Sequence, residues 1–174
     1  MTAPGANAST RCSYSVTMTN DRDRVSVERV IPAPADKIFD LLVDPARHLD
    51  IDGSGTVQRA RSGGRRLRLG DSFGMDMKLG ARYSTRNEVV ELDENRLIAW
   101  RTLAPSPLTL LFTGRTWRYE LEPVEGGTRV RETWDISTEA LLGRQVVRRM
   151  AGSTKRNMER TLERIERLVV TDPV

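Results

Sequence analysis

Residues 25–55 read VSVERVIPAPADKIFDLLVDPARHLDIDGSG, and the change of period along this stretch decides the fold. Val25, Val27 and either Arg29 or Ile31 alternate with charged neighbours, which is the repeat of a half-buried strand. Pro32 and Pro34 end that strand, and Pro34 suits a first helical turn, where its missing N–H removes no bond. Ile38, Phe39, Leu41 and Leu42 then give a short helix one apolar face. Asp44-Pro45 closes it, because the residue before a proline is pushed out of the helical region. Ala46 to Leu49 adds one more turn, and Gly53 and Gly55 swing the chain into a second strand, Thr56 to Ala60.

Downstream the pattern is a run of hairpins. Phe73, Met75, Met77 and Leu79 alternate with Asp76 and Lys78, Gly80-Ala81 turns the chain, and Arg82 to Leu92 returns as a long strand. Asp93 to Arg96 is a turn into Leu97 to Thr102. After a proline-broken loop, Thr116 to Glu122 and Thr128 to Ile136 pair across Glu125-Gly126-Gly127. Leu141 to about Val170 reads as one long helix, with Val147, Met150, Ala151, Met158, Leu162, Ile165 and Val169 in a single stripe. The expectation is an α+β domain in which a curved antiparallel sheet wraps a long C-terminal helix, with two short helices after the first strand. A strongly curved sheet cannot lie flush on a helix, so a cavity opens between them.

Composition narrows the function classes. The 174 residues suit one domain with a core of its own, and the single cysteine, Cys12, forms no internal disulfide. This suits a reducing compartment, no apolar run is long enough to span a membrane, and the first residues lack a signal peptide's pattern, so the reading is cytoplasmic. The 28 Lys+Arg against 24 Asp+Glu are interleaved rather than patched, as in KRNMERTLERIER. Only ARSGGRRLRLG is locally basic, and it reads as a solvated hairpin end, so no nucleic-acid partner is expected. One histidine and no cysteine cluster exclude a zinc site; neither metal nor cofactor is expected. A monomer is favoured. Residues 1–22 are rich in small and polar types and read as a disordered tail before a domain at 23–171. Met18 would itself serve as a start, which makes the preceding residues dispensable.

VERVIPAPADKIFDLLVDPARHLDIDGSGTV, NEVVELDENRLIAW, TWRYELEPVEGGTRVRETWD and the terminal helix together resemble the START-like (SRPBCC, helix-grip) superfamily, and within it the actinobacterial polyketide cyclase/dehydrase and lipid-transport group. The resemblance covers roughly Arg24 to Val170. It implies an internal cavity and no shared catalytic residue set. Proteins of this group often carry the pattern that stands here as His48 and Asp52-Gly53-Ser54-Gly55, near one end of the cavity. Physically, that run is a structural turn: the glycines permit it and Asp52 braces it. His48, placed near the mouth and braced by that turn, is the best single candidate for a polar ligand contact or proton donor.

Pairing about Gly126-Gly127 puts Trp117, Tyr119 and Leu121 on one face with Glu132, Trp134 and Ile136, and the tryptophans make that face the inner one. Glu132 then lies among aromatics, with a raised pKa unless a partner such as Arg115 neutralises it. A two-residue turn at Gly80-Ala81 would send Trp100 outward; a bulge or a three-residue turn brings it inward with Val89, Asn87 and Tyr83, and the inward arrangement is the expected one. Met75, Met77, Met150 and Met158 complete the lining, and Leu108, Leu110, Leu111 and Phe112 form a greasy lip or cover the core. Two functions follow: a carrier or sensor of a hydrophobic lipid, quinone or polyketide-like molecule, or a cyclase/dehydratase moving protons with His48, Tyr119, Tyr83 or Glu132.

Overall fold

The computed structural model describes residues 22–61, 63–103 and 114–171. Strand β1 (Arg24–Ile31) leads into α1 (Ala35–Val43), a 3-10 turn (Pro45–Arg47) and α2 (His48–Ile51). Strands β2 (Val57–Ala60), β3 (Ser72–Leu79), β4 (Ala81–Asp93), β5 (Leu97–Leu103), β6 (Arg115–Val124) and β7 (Gly127–Asp135) follow, then α3 (Leu141–Arg148) and α4 (Ala151–Thr171). The seven strands form one curved antiparallel sheet in the order β1-β7-β6-β5-β4-β3-β2, with the helices on its concave face. Residues 1–21 of the expected tail lie outside the described residues, as do Leu108, Leu110, Leu111 and Phe112.

The inner face follows from register. Trp100 pairs with Trp117, and Trp117 with Trp134, so all three tryptophans of the chain stand in one row across β5, β6 and β7. Trp100 reaches this row through two local features. Gly80 alone turns β3 into β4, at a φ of +71° open to glycine, so Leu79 pairs directly with Ala81. Within β4, Val90 and Glu91 together oppose Ala99, a bulge that returns Leu92 to the inner face with Val89.

The last helix departs from the single rod expected from its stripe. Arg149 and Met150 donate backbone bonds three residues back, to Val146 and Val147, which tightens and ends α3. Gly152 and Ser153 follow at once, and the Ser153 hydroxyl takes the Met150 carbonyl at 2.8 Å. A Gly-Ser pair with a side chain competing for the helical ladder is a sufficient cause of a break. Past it, α4 buries Thr154, Met158, Thr161, Leu162 and Ile165.

The stretch ARSGGRRLRLG is more than a solvated hairpin end. Leu67 is buried, its N–H bonds to the Val43 carbonyl at 2.9 Å, and Arg66 pairs with Asp40 and Glu94. Arg65 pairs with Asp71, and Arg59 and Arg61 share Asp76. Arg61, Arg65 and Arg66 of this stretch therefore have acidic partners within the domain.

Asp52-Gly53-Ser54-Gly55 docks the end of α2 on α4. Asp52 accepts from the Ser54 N–H at 2.9 Å, the Ser54 hydroxyl at 2.6 Å and the Val57 N–H at 2.8 Å. Its backbone carbonyl receives Arg164 at 2.6 Å, and Gly53 donates to the Thr161 hydroxyl at 3.0 Å. A Cβ on Gly53 would lie 2.0 Å from the Asn157 carbonyl oxygen and 2.5 Å from the Thr161 nitrogen. Alanine there forces turn and helix apart, a loss of about 1–3 kcal/mol. Gly55, at φ +70° but facing open space, loses only about 1–2 kcal/mol as alanine, through backbone strain. Denaturant unfolding should therefore rank Gly53→Ala below Gly55→Ala; the reverse order would mean that the turn does not set the position of the helix.

Candidate functional site

Alternation along β6 turns Arg115, Trp117 and Tyr119 to the same face, and β7 presents Glu132 and Trp134 beside them. Phe73, Met75 and Met77 on β3 and Tyr83, Thr85 and Asn87 on β4 extend that wall. Opposite stand the break between α3 and α4 and the first turns of α4, with Met150, Ser153, Thr154, Asn157, Met158 and Thr161. Between the two walls lies a cavity of about 410 Å³, within the range of small-molecule sites. Met75, Trp100, Tyr119, Trp134 and Met158 are buried, Met77 and Trp117 half-buried, and Tyr83 and Met150 stand at an exposed rim with Leu79.

The inner end is polar. The Tyr119 hydroxyl donates to Glu132 Oε1 at 2.8 Å, while Glu132 Oε2 is buried with no hydrogen-bond partner. Burial pushes the Glu132 carboxyl up to about 8; the Tyr119 bond works against this, and the negative charge of Asp52 adds to it. Burial and the same carboxyl raise the Tyr119 phenol well above its ordinary range. Arg115 is not the partner of Glu132. The register sets Tyr119 directly opposite Glu132 and leaves Arg115 two inward positions further along β6.

His48 occupies a different place from the one expected. It is buried rather than at the mouth, stacked on Trp100 with ring centroids 4.9 Å apart and edge-on to Phe73 at 5.5 Å. Its Nε2 lies 2.9 Å from the Leu42 carbonyl, not on the Asp52 turn. Leu42 belongs to the last turn of α1, whose carbonyls have no partner within the helix, and the imidazole supplies a donor. Burial lowers the His48 pKa and so favours the neutral ring. Trp100 in turn stacks on Tyr119 at 5.4 Å, giving a continuous stack from His48 to the Glu132 pair. Asn87 is held by the sheet, donating to the Phe73 carbonyl at 3.4 Å and accepting from the Thr102 hydroxyl at 2.7 Å.

Sequence reading overlooked Thr154, Asn157 and Thr161, which put polar groups on the cavity side of α4. Two threonines in line with Met158 on an otherwise apolar stripe were the available signal. Among the described residues no group of three or more His, Cys, Asp or Glu side chains is placed to hold a metal ion, and no helix is long and apolar enough to cross a membrane.

The polyketide cyclase / dehydrase and lipid transport family matches residues 22–170. The chain belongs to this family. An uncharacterised protein of Mycobacterium tuberculosis is 38% identical over 114 residues, 64% of this chain; the match spans 47%, about half, of that relative's length. Among solved structures, a Rhodobacter sphaeroides protein superposes with a TM-score of 0.67 at 15% identity, covering 90% of this chain and 97% of its own. A Mesorhizobium loti protein gives 0.66 at 17%, covering 87% and 99%. A protein of the dynemicin biosynthetic locus gives 0.58 at 14%, covering 86% of this chain and 48% of its own. At such identities these neighbours establish the helix-grip fold alone.

The raised Glu132 pKa has a consequence for stability. Between the ordinary value of 4.5 and about 8, the folded protein keeps a proton that the unfolded chain has released. The folded state then binds more protons, so this group's contribution falls as pH rises through that window. Glu132→Gln keeps an acceptor for Tyr119 and removes the titration. Its melting temperature relative to wild type should climb from about pH 5 to about pH 8, while the opposing contribution of His48 cancels in the difference. A difference independent of pH would show that Glu132 is already ionised in the fold.

Proposed function

We propose that this protein is a carrier or sensor that encloses a hydrophobic small molecule, of lipid, quinone or polyketide-like kind, between the sheet and α4. The observation that carries the reading is the cavity lined by the row Trp100–Trp117–Trp134, in which Trp117 is only half-buried. Large aromatic surface is normally spent on close packing, and here part of it is left to be covered by a guest. The unpartnered Glu132 Oε2 adds a requirement. Mostly protonated at neutral pH, Glu132 offers a donor, so the guest that satisfies it bears a carbonyl or similar oxygen at its inner end. The family's description, which names both cyclase/dehydrase and lipid transport, supports a guest of this class.

A second reading rests on the same pair. A buried acid poised near pH 8 beside a phenol is suited to general acid chemistry on a poly-β-ketone, so a cyclase or dehydratase would use Glu132 with Tyr119. His48, tied to Leu42, would hold the stack and not move protons.

The experiment is displacement of N-phenylnaphthylamine fluorescence, together with native mass spectrometry of protein taken from its own host. The carrier reading expects dye binding that competing lipids or quinones reverse. It also expects Trp117→Phe to weaken binding several-fold, since the ring loses area without loss of fold. The guest should be recovered chemically unchanged. Dye affinity no better than that of a solid-core control of similar size would overturn the cavity reading. Turnover of a model poly-β-ketone that Glu132→Gln abolishes, with dye binding retained, would establish the enzyme instead.

A further inference from the structure

The end of the molecule where the cavity opens carries cations without ion-pair partners among the described residues. Residues 77–86 and 140–158 contain no Asp or Glu; neither do residues 53–70, but there Arg59, Arg61, Arg65 and Arg66 pair with carboxylates from elsewhere in the domain. The first two stretches are the β3–β4 hairpin tip and α3 with the start of α4, and both border the cavity through Leu79, Tyr83, Met150 and Ser153. They carry Lys78, Arg82, Arg149 and Arg156 on exposed positions. Lys78 sits directly opposite Arg82 across the hairpin. Like charges facing each other on one side of a hairpin destabilise it, and among the described residues no carboxylate forms a salt bridge with either of them. Arg144 and Arg148, by contrast, both reach Asp23 and fasten α3 to the start of β1.

The same end exposes apolar side chains. Leu141 is 76% exposed, Leu79 65% and Val146 54%. In α3, Val147 is buried against the core while Val146 and Leu141 point elsewhere, so this helix spends aliphatic residues on two sides. Apolar side chains at a rim of unneutralised cations match the interface of an anionic bilayer, where hydrocarbon accepts the former and phosphate the latter. An acidic protein would satisfy the cations but would need a shaped apolar pocket for each of three separated side chains. A bilayer needs none.

We infer that the cavity mouth, with the β3–β4 tip on one side and the α3–α4 junction on the other, docks together with the adjoining α3 on an anionic membrane surface. Docking would seat the opening on the phase from which an apolar guest enters or into which it leaves. That purpose rests on the carrier reading; the docking itself does not.

The test is co-sedimentation of the full chain with vesicles of phosphatidylcholine alone and of an equal mixture of phosphatidylcholine and phosphatidylglycerol. Binding should be confined to the anionic vesicles and weaken as salt is raised. Arg82→Glu should lower the partition coefficient by tenfold or more, because the reversal removes an attraction to the anionic surface and adds a repulsion. Lys37→Glu makes the same charge change on α1, away from the mouth, and should cost less than twofold. The double variant Leu141→Ser, Val146→Ser should weaken binding several-fold with an unchanged circular dichroism spectrum. Absence of binding to the anionic vesicles at low salt overturns the inference, as does an equal loss in Lys37→Glu and Arg82→Glu, which would reveal attraction to net charge only. No effect of the apolar double variant likewise sinks it. Vesicle binding without dye uptake would fail the carrier reading and leave the docking surface standing; dye uptake without vesicle binding would do the reverse.

Discussion

The contact of Gly53 with the backbone of α4 sets the position of the helix over the sheet. There is no room for a side chain between the turn and the Asn157–Thr161 segment, and hydrogen bonds from Gly53 to Thr161 and from Arg164 to Asp52 fix both rotation and height. C-terminal to this pin, Leu162 and Ile165 are fully packed into the core. N-terminal to it, Met150, Ser153 and Thr154 line the cavity. A straight helix fixed at one end against a sheet that curves away must leave a gap at the other, so the cavity is a geometric result of the pin and the curvature together.

The gap is kept open by what stands at its edges. The break at Met150, with Gly152 and Ser153, separates α3 from α4, and Arg144 and Arg148 fasten α3 to Asp23. On the opposite wall the side chains are large but held: Trp100 lies between His48 and Tyr119, and Asn87 is tied to Phe73 and Thr102. Side chains stacked or hydrogen-bonded to the wall are not free to fall into the space in front of it.

The fold was legible in the sequence because its signals were periodic and long: the switch at Pro32–Pro34, the paired strands about Gly126-Gly127 and the stripe of the last helix. Three details were not, each for a local reason. The break in the helix was hidden because Val147, Met150 and Ala151 carry the stripe across it, and a weak Gly-Ser mark competes poorly with an apolar repeat. The bulge at Val90 leaves no trace in composition, since Val89 and Val90 are equally suited to either face. The place of His48 depended on which free carbonyl at the end of α1 the ring would reach, and the helix stop at Asp44-Pro45, itself legible, does not decide that. The partner of Glu132, by contrast, was within reach: the register about the Gly-Gly turn already sets Tyr119 across from it, and charge pairing with Arg115 was the less local argument.

Two features of the site oppose stability. A cavity of about 410 Å³ forfeits dispersion contacts that larger side chains would have supplied. A buried carboxyl with one oxygen unpartnered forfeits a hydrogen bond that leucine at the same position would never have needed. Either feature alone could be an accident of packing. Both stand on one wall, within the reach of a single enclosed molecule, and one guest with an apolar body and an oxygen at its inner end would relieve the two together. The half-buried Trp117 and Met77 supply surface for that body and the Glu132–Tyr119 pair the anchor for its oxygen, which is why the binding reading takes precedence over one in which the pair exists for proton transfer alone.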